Sequence, residues 1–170
     1  MTHAKLPLIT AQSRLDTPLG RLTVAATDHG LAGLWFDDQA HHPGSIDAPT
    51  DDAHPFIAQA REELQRYWSA AALGPFSVPL DLLGTPFQRA VWQALLQIAP
   101  GRTATYAEIA ARAGAPAAVR AAGAAIGRNP VSVIVPCHRV IGRAGGLTGY
   151  AGGLPRKRAL LQLEGVAVVA

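Results

Sequence analysis

The chain has 170 residues, 49% of them hydrophobic, a formal net charge of +3 and a single cysteine. That length suits one compact unit or two small subdomains, and the lone thiol excludes an intramolecular disulfide and a cysteine-rich zinc site. No segment has the length and apolarity of a membrane span, and residues 1–15 lack the apolar run of a signal peptide, so a reducing cytoplasm is the expected location.

Charge is spread unevenly. Residues 1–85 carry 5 Lys/Arg against 10 Asp/Glu, whereas residues 86–170 carry 10 Lys/Arg against Glu108 and Glu164 alone. A basic second half suggests a polyanion partner such as nucleic acid.

In chain order, Leu22 to Ala26 and Leu31 to Phe36 are short apolar runs joined by Thr27-Asp28-His29-Gly30, which predicts a hairpin. Asp37 to Asp52, with Pro43, Gly44 and Pro49, reads as an exposed loop. Ile57, Ala60, Leu64, Tyr67 and Trp68 recur at helical spacing and predict an amphipathic helix over residues 55–69, its aromatic pair serving as core. His3, His29, His41, His42 and His54 read as loop residues, with metal binding by the His41-His42 pair the minor alternative. This half offers no catalytic constellation.

A boundary falls near Leu83-Gly84-Thr85-Pro86, dividing the chain into residues 1–84 and 85–170. Thr85 can cap a helix whose first turn holds Pro86, whose stripe is Phe87, Val91, Leu95 and Ile98 with Trp92, and whose end is Pro100-Gly101. Thr105-x-x-Glu108 is a capping-box spacing that opens a helix through Ile109 and Ala113. Gly114 stops it, and Pro116 starts a second helix through Arg120 to Ile126, the outline of a helix-turn-helix. That second helix contains Ala121-Ala122-Gly123-Ala124-Ala125, with Arg120 its one long cation, so it lacks the groups that read base edges. A smooth helix can instead press against a backbone or minor groove and leave Arg120 to insert. Packing of its small residues against another helix is the structural alternative.

Val131 to Val135 reads as a short buried strand opening into a loop with Gly142, Gly145, Gly146 and Gly149. Cys137 sits at that exit with His138 beside it. A thiol is a strong nucleophile only as thiolate, and a neighbouring base supplies that state. The alternative is a small buried hydrophobe. Adjacent side chains on a strand point to opposite faces, so cooperation between Cys137 and His138 requires a turn or a bridging water.

Six motifs in order carry a resemblance: Thr105-Tyr106-x-Glu108-Ile109-Ala110, Arg120-Ala121-x-Gly123, Asn129-Pro130-Val131, Ile134-Val135-Pro136-Cys137-His138-Arg139-Val140, Gly149-Tyr150-Ala151-Gly152-Gly153 and Leu160-Leu161-x-x-Glu164-Gly165. By these the chain resembles the O6-alkylguanine-DNA alkyltransferases, and more loosely so in its first half, through Thr17-Pro18-Leu19-Gly20 and the hairpin after it. The resemblance implies an α/β (α+β) protein. Its amino-terminal domain would be a small antiparallel sheet with a helix, ribonuclease H-like. The carboxyl-terminal domain would be mainly helical, with a winged-helix-like helix-turn-helix.

The implied activity is direct-reversal repair of double-stranded DNA containing O6-alkylguanine, by one irreversible transfer to Cys137. In that scheme His138 is the base acting through a water, Glu164 orients it, and Asn129 supports the active-site turn. Tyr106 contacts the base and steers a phosphate, while Arg120, with Ala121 and Gly123 on the same smooth helix, fills the stack left by a flipped nucleotide. In the base pocket the backbone around Cys137, Val140 and Ala151 hydrogen-bonds the guanine edge, and Ile126 and Tyr150 are the walls. No cofactor or metal is implied. The expected form is a monomer, with cooperative binding on DNA an open possibility. Ser132 stands where some relatives have proline, and Ala151 where some have serine, which leaves the pocket width open. The rival readings are a non-catalytic alkyl-lesion-binding relative, in which a tryptophan would replace Cys137, a Cys-His-Glu hydrolase, and a helix-turn-helix regulator.

Overall fold

The computed structural model describes residues 8–69 and 75–168; His3 and the last two residues of the apolar tail lie outside them. Strands β1 (Ala11–Thr17), β2 (Gly20–Ala26) and β3 (Leu31–Phe36) form an antiparallel sheet in the order β1-β2-β3. The predicted hairpin is β2-β3. Strand β1 escapes sequence reading because only Ala11 and Leu15 among its inward residues are apolar, with Ser13 the third. Its register sets Thr17 opposite Gly20, whose φ of +123° closes the turn.

Helix α1 (Pro55–Trp68) packs across this sheet through Ile57, Ala60, Leu64 and Tyr67, the stripe its spacing predicts. Helix α2 (Pro86–Leu95) starts at a capping box in which the Thr85 hydroxyl accepts from Gln88 N at 3.1 Å and the Gln88 side chain accepts from Thr85 N at 3.0 Å. It stops at Leu95, short of the predicted Pro100-Gly101, but Ile98 remains buried in the turns that follow. Thr105 and Glu108 form the expected capping box of α3 (Tyr106–Arg112).

Helix α4 spans Val119–Gly127, so the prediction that Pro116 starts it is corrected. Ala118 N donates to the Ala115 carbonyl at 2.9 Å, closing a turn with Pro116 at its second position. The fixed φ of proline suits that position as well as a helix start, which is why the sequence does not separate the two. Trp92 on α2 donates its indole N–H to the Ala125 carbonyl at 2.8 Å and fastens α2 to α4.

A second correction concerns Val131 to Val135. The segment is buried but forms a turn rather than a strand: Val135 N returns to the Val131 carbonyl at 3.0 Å, and Val133 has a φ of +70°. Only an isolated bridge links Val131 to Leu34 of β3. A short, wholly apolar run reads alike whether it is a core strand or a core turn. The chain then makes a 3-10 turn at Cys137–Arg139 and a two-residue strand β5 (Val140–Ile141) parallel to β4 (Ala104–Thr105). Helix α5 (Leu154–Leu163) ends the order, with Gly153 (φ +90°) at its start. One apolar cluster runs from Leu22, Leu34 and Phe36 of the sheet through α1 and α2 to Ile126 and Val135.

Candidate active site

The 3-10 turn resolves the geometric objection to an adjacent thiol and imidazole, because residues 137 and 138 are no longer on opposite faces of a strand. Asn129, just after α4, builds that turn: its amide N–H donates to the Val135 carbonyl at 2.7 Å and to Cys137 Sγ at 3.1 Å, while its Oδ1 accepts from Val131 N at 3.0 Å. One buried amide thus fixes the turn's shape and gives the sulfur a donor.

Behind the thiol lies a closed polar cluster. His138 Nε2 is 2.8 Å from Glu164 Oε2, and both side chains are fully buried. Arg139 grips the same carboxylate with Nε and Nη2, each at 2.8 Å, and donates Nη1 to the Ile98 carbonyl at 2.6 Å. The Tyr67 hydroxyl of α1 donates to Glu164 Oε2 at 2.6 Å. His138 Nδ1 is buried without a partner among the described residues. With Nε2 turned to the carboxylate, Nδ1 is the nitrogen free to take a proton.

Burial works against ionising Glu164, yet the hydrogen bonds from Arg139 and His138 outweigh it and hold the carboxyl down at about 2. His138 is lowered by burial, opposed by Glu164. Burial pushes the Cys137 thiol up to about 11, against the pull of the Asn129 amide and the Lys157 charge. The resting pair is therefore a neutral thiol beside a neutral imidazole.

Cys137 is only 5% exposed, but it lies on the wall of an open cavity of about 280 Å³. Tyr106, Gly123, Ile126 and Gly127 from α3 and α4 form one side of it, Gly149, Tyr150 and Ala151 another, and Ala40 and His41 a third. The fold thus gathers Cys137, Tyr106, Gly123, Ile126, Tyr150 and Ala151 in one place. Val140 is fully buried in β5 and is not a cavity wall. The Tyr106 hydroxyl accepts from Thr148 Oγ1 at 3.1 Å. Arg120 and Ala121 stand exposed on the first turn of α4, outside the cavity.

Not all the positive charge of the second half faces solvent. Arg139 and Lys157 are buried, and Arg156 is engaged by the amino-terminal part, donating to Asp38 at 2.7 Å and the Leu19 carbonyl at 2.8 Å, and stacking 4.3 Å from the Phe36 ring. Arg89, Arg102, Arg112, Arg120, Arg128 and Arg143 are exposed.

Sequence reading missed Tyr67 as a site residue, since its burial and helical spacing mark it as core, which it also is. It missed Lys157, which donates Nζ to the Thr148 carbonyl at 2.6 Å and the Gly149 carbonyl at 3.3 Å; burial lowers it to about 8, partly offset by Cys137. A lysine two residues past the Gly152-Gly153-Leu154-Pro155 start of α5 gives no sequence sign of pointing inward. Among the described residues, no group of three His, Cys, Asp or Glu side chains could hold a metal ion.

Residues 12–82 match the ribonuclease-like domain of 6-O-methylguanine DNA methyltransferase, and residues 86–166 match its DNA-binding domain. The methylated-DNA–protein-cysteine methyltransferase of Mycolicibacterium paratuberculosis is 49% identical over 150 residues, covering 88% of this chain and 89% of that protein. The crystal structure of Mycobacterium tuberculosis O6-methylguanine methyltransferase shares 45% identity over 92% of this chain and 93% of the other, with a TM-score of 0.81. For the structure of Mycobacterium tuberculosis OGT in complex with DNA the TM-score is 0.85, at the same identity and coverage.

Proposed function

From the membership of this chain in the 6-O-methylguanine DNA methyltransferase family, we propose that it repairs O6-alkylguanine in duplex DNA by moving the alkyl group onto Cys137. The observation that carries the reading is a single thiol on the wall of an open cavity, backed by a His138-Glu164 pair whose imidazole has one nitrogen left free. In the transfer, Sγ attacks the alkyl carbon in line with the departing O6. The S–C bond forms as the C–O bond breaks, and its electron pair leaves with the guanine, which picks up a proton. The thiol proton passes through a water to His138 Nδ1. Glu164 stabilises the imidazolium so formed.

At pH 7 a thiol titrating at about 11 costs about 5 kcal/mol to ionise, so the free protein is quiet. Reaction belongs to the complex, where a base seated in the cavity brings an electrophile to the sulfur. The target atom is held within paired duplex, which requires an extrahelical nucleotide. Arg120, exposed at the front of the smooth helix α4, then fills the stack, and the exposed arginines meet the phosphates. Tyr106 lies where it can contact the base, and Ile126, Tyr150 and Ala151 wall it in. Acceptor, base and counter-charge all belong to the chain, so the step as written draws on no cofactor. Residues 1–84 and 85–170 act as two domains of a monomer, and a free nucleophilic thiol suits the cytoplasm.

A thioether offers no ready route back, so transfer is stoichiometric. Incubation with duplex containing O6-methylguanine is expected to add one methyl mass to the peptide holding Cys137 and nothing elsewhere. Transfer at an unchanged rate in Cys137→Ser would overturn the reading.

A further inference from the structure

We propose that His41, in the turn that follows β3, is a substrate-contacting residue that limits the size of the alkyl group the cavity accepts, an inference that rests on the transfer reading above. Among the described residues, the amino-terminal part contributes only Ala40 and His41 to the cavity that reaches Cys137. Ala40 ends in a methyl group, so His41 is the one long side chain on that side.

The backbone that carries it is fixed. Ala40 N donates to the Ala151 carbonyl at 2.9 Å, tying the turn to the opposite wall. Gln39, just before it, is buried and accepts from Phe36 N at 2.9 Å and from the Ser132 hydroxyl at 3.0 Å. His41 itself has a φ of +62°, a conformation that few residues with a side chain adopt, so the chain turns sharply at the cavity edge.

His42 shows what an internally used histidine looks like here. Its Nε2 is 3.3 Å from Thr23 Oγ1, its Nδ1 accepts from Gly44 N at 2.9 Å, and its ring packs 5.9 Å from Trp35. His41 is exposed, its side chain makes no hydrogen bond or ring contact to any described residue, and the residue lines the cavity. Of two neighbouring imidazoles, one holds the loop and the other is left for a ligand.

Volume decides what that ligand contact does. The cavity of about 280 Å³ sits at the lower end of small-molecule pockets, roughly 300–1000 Å³. A seated guanine takes up a large part of that space, and a wall imidazole competes with an aromatic alkyl group for what remains. The two residues before it are held, Ala40 N by the Ala151 carbonyl and the Gln39 side chain by the Ser132 hydroxyl, so the turn is anchored up to His41.

The test is single-turnover transfer from two duplexes, one with O6-methylguanine and one with O6-benzylguanine, followed by the mass added to Cys137. Wild type, His41→Gly and His41→Trp are compared by the ratio of benzyl to methyl rate, which cancels any inactive fraction. Glycine accepts the left-handed backbone without strain, and the site is exposed, so melting curves should confirm folded variants. The ratio is expected to rise about tenfold in His41→Gly and to fall about tenfold in His41→Trp. Ratios within twofold of wild type in both variants would overturn the assignment while wild-type alkylation still upheld the transfer reading. No alkylation of wild type by either duplex would sink both.

Discussion

Replacing Glu164 by glutamine removes the only anion among four converging donors. In the native cluster the carboxylate accepts from Tyr67, His138 and twice from Arg139, and every partner is buried. Glutamine keeps the volume and one oxygen, but it turns an NH2 group toward donors and leaves the Arg139 guanidinium uncompensated. Breaking a buried pair from one side costs about 3–5 kcal/mol.

The proton balance provides a second estimate. A carboxyl lowered from an ordinary 4.5 to about 2 contributes about 3 kcal/mol at neutral pH. Because the folded value is depressed, this stabilisation is fully present above pH 4.5 and is lost as pH falls toward 2. The two routes agree, and about 3 kcal/mol is a large share of the 5–15 kcal/mol that a domain has. Urea unfolding at pH 7 should show that loss in Glu164→Gln, and the variant should also decline less than wild type between pH 4.5 and 2.5, keeping the part that Glu63 and Asp38 contribute. The rate of alkyl transfer should fall as well, since the imidazolium loses its counter-charge. A stability change below about 1 kcal/mol, or an undiminished acid decline, would refute the reasoning.

The other predictions follow from the same geometry. Tyr67→Phe deletes one donor to a charged oxygen and should cost about 1.5–3 kcal/mol in urea unfolding, while transfer slows without loss of DNA affinity; unchanged stability and rate would deny Tyr67 a part in holding Glu164. With the thiol lifted from 9.0 to about 11, iodoacetamide at pH 7 should alkylate folded Cys137 about two orders of magnitude more slowly than the unfolded chain, the rate climbing with pH toward 11. Equal folded and unfolded rates would contradict that. Arg120→Ala should slow repair of duplex about tenfold or more and leave reaction with a free O6-alkylated guanine base unchanged. Equal losses on both substrates would deny Arg120 a place in the stack.

Much of this molecule was legible along the chain. The Thr85 cap, the Thr105–Glu108 capping box, the α1 stripe and the β2-β3 hairpin follow from spacing and local hydrogen bonding, which act within a few residues and leave their mark in sequence order. Cys137, His138 and Glu164 stood out by composition and motif, and the exposed Arg120 by the bareness of its helix. The turn at Val131 to Val135 was not legible, because an apolar run is chosen for burial and burial is indifferent to backbone path.

Tertiary structure alone decided how the amino-terminal part enters the site. Tyr67 and Glu164 are 97 positions apart and meet at 2.6 Å; Asp38 and Arg156 are 118 apart and meet at 2.7 Å. It also decided which cations are free: Arg139 and Lys157 look like any basic residue in the sequence, yet both are buried, one paired with Glu164 and the other holding the carbonyls of the loop beside Cys137. Sequence order governs contacts that a single turn of backbone can make. The charge state of a thiol, the freedom of an imidazole and the width of a cavity depend on neighbours brought from elsewhere in the chain, and only folding sets their distance.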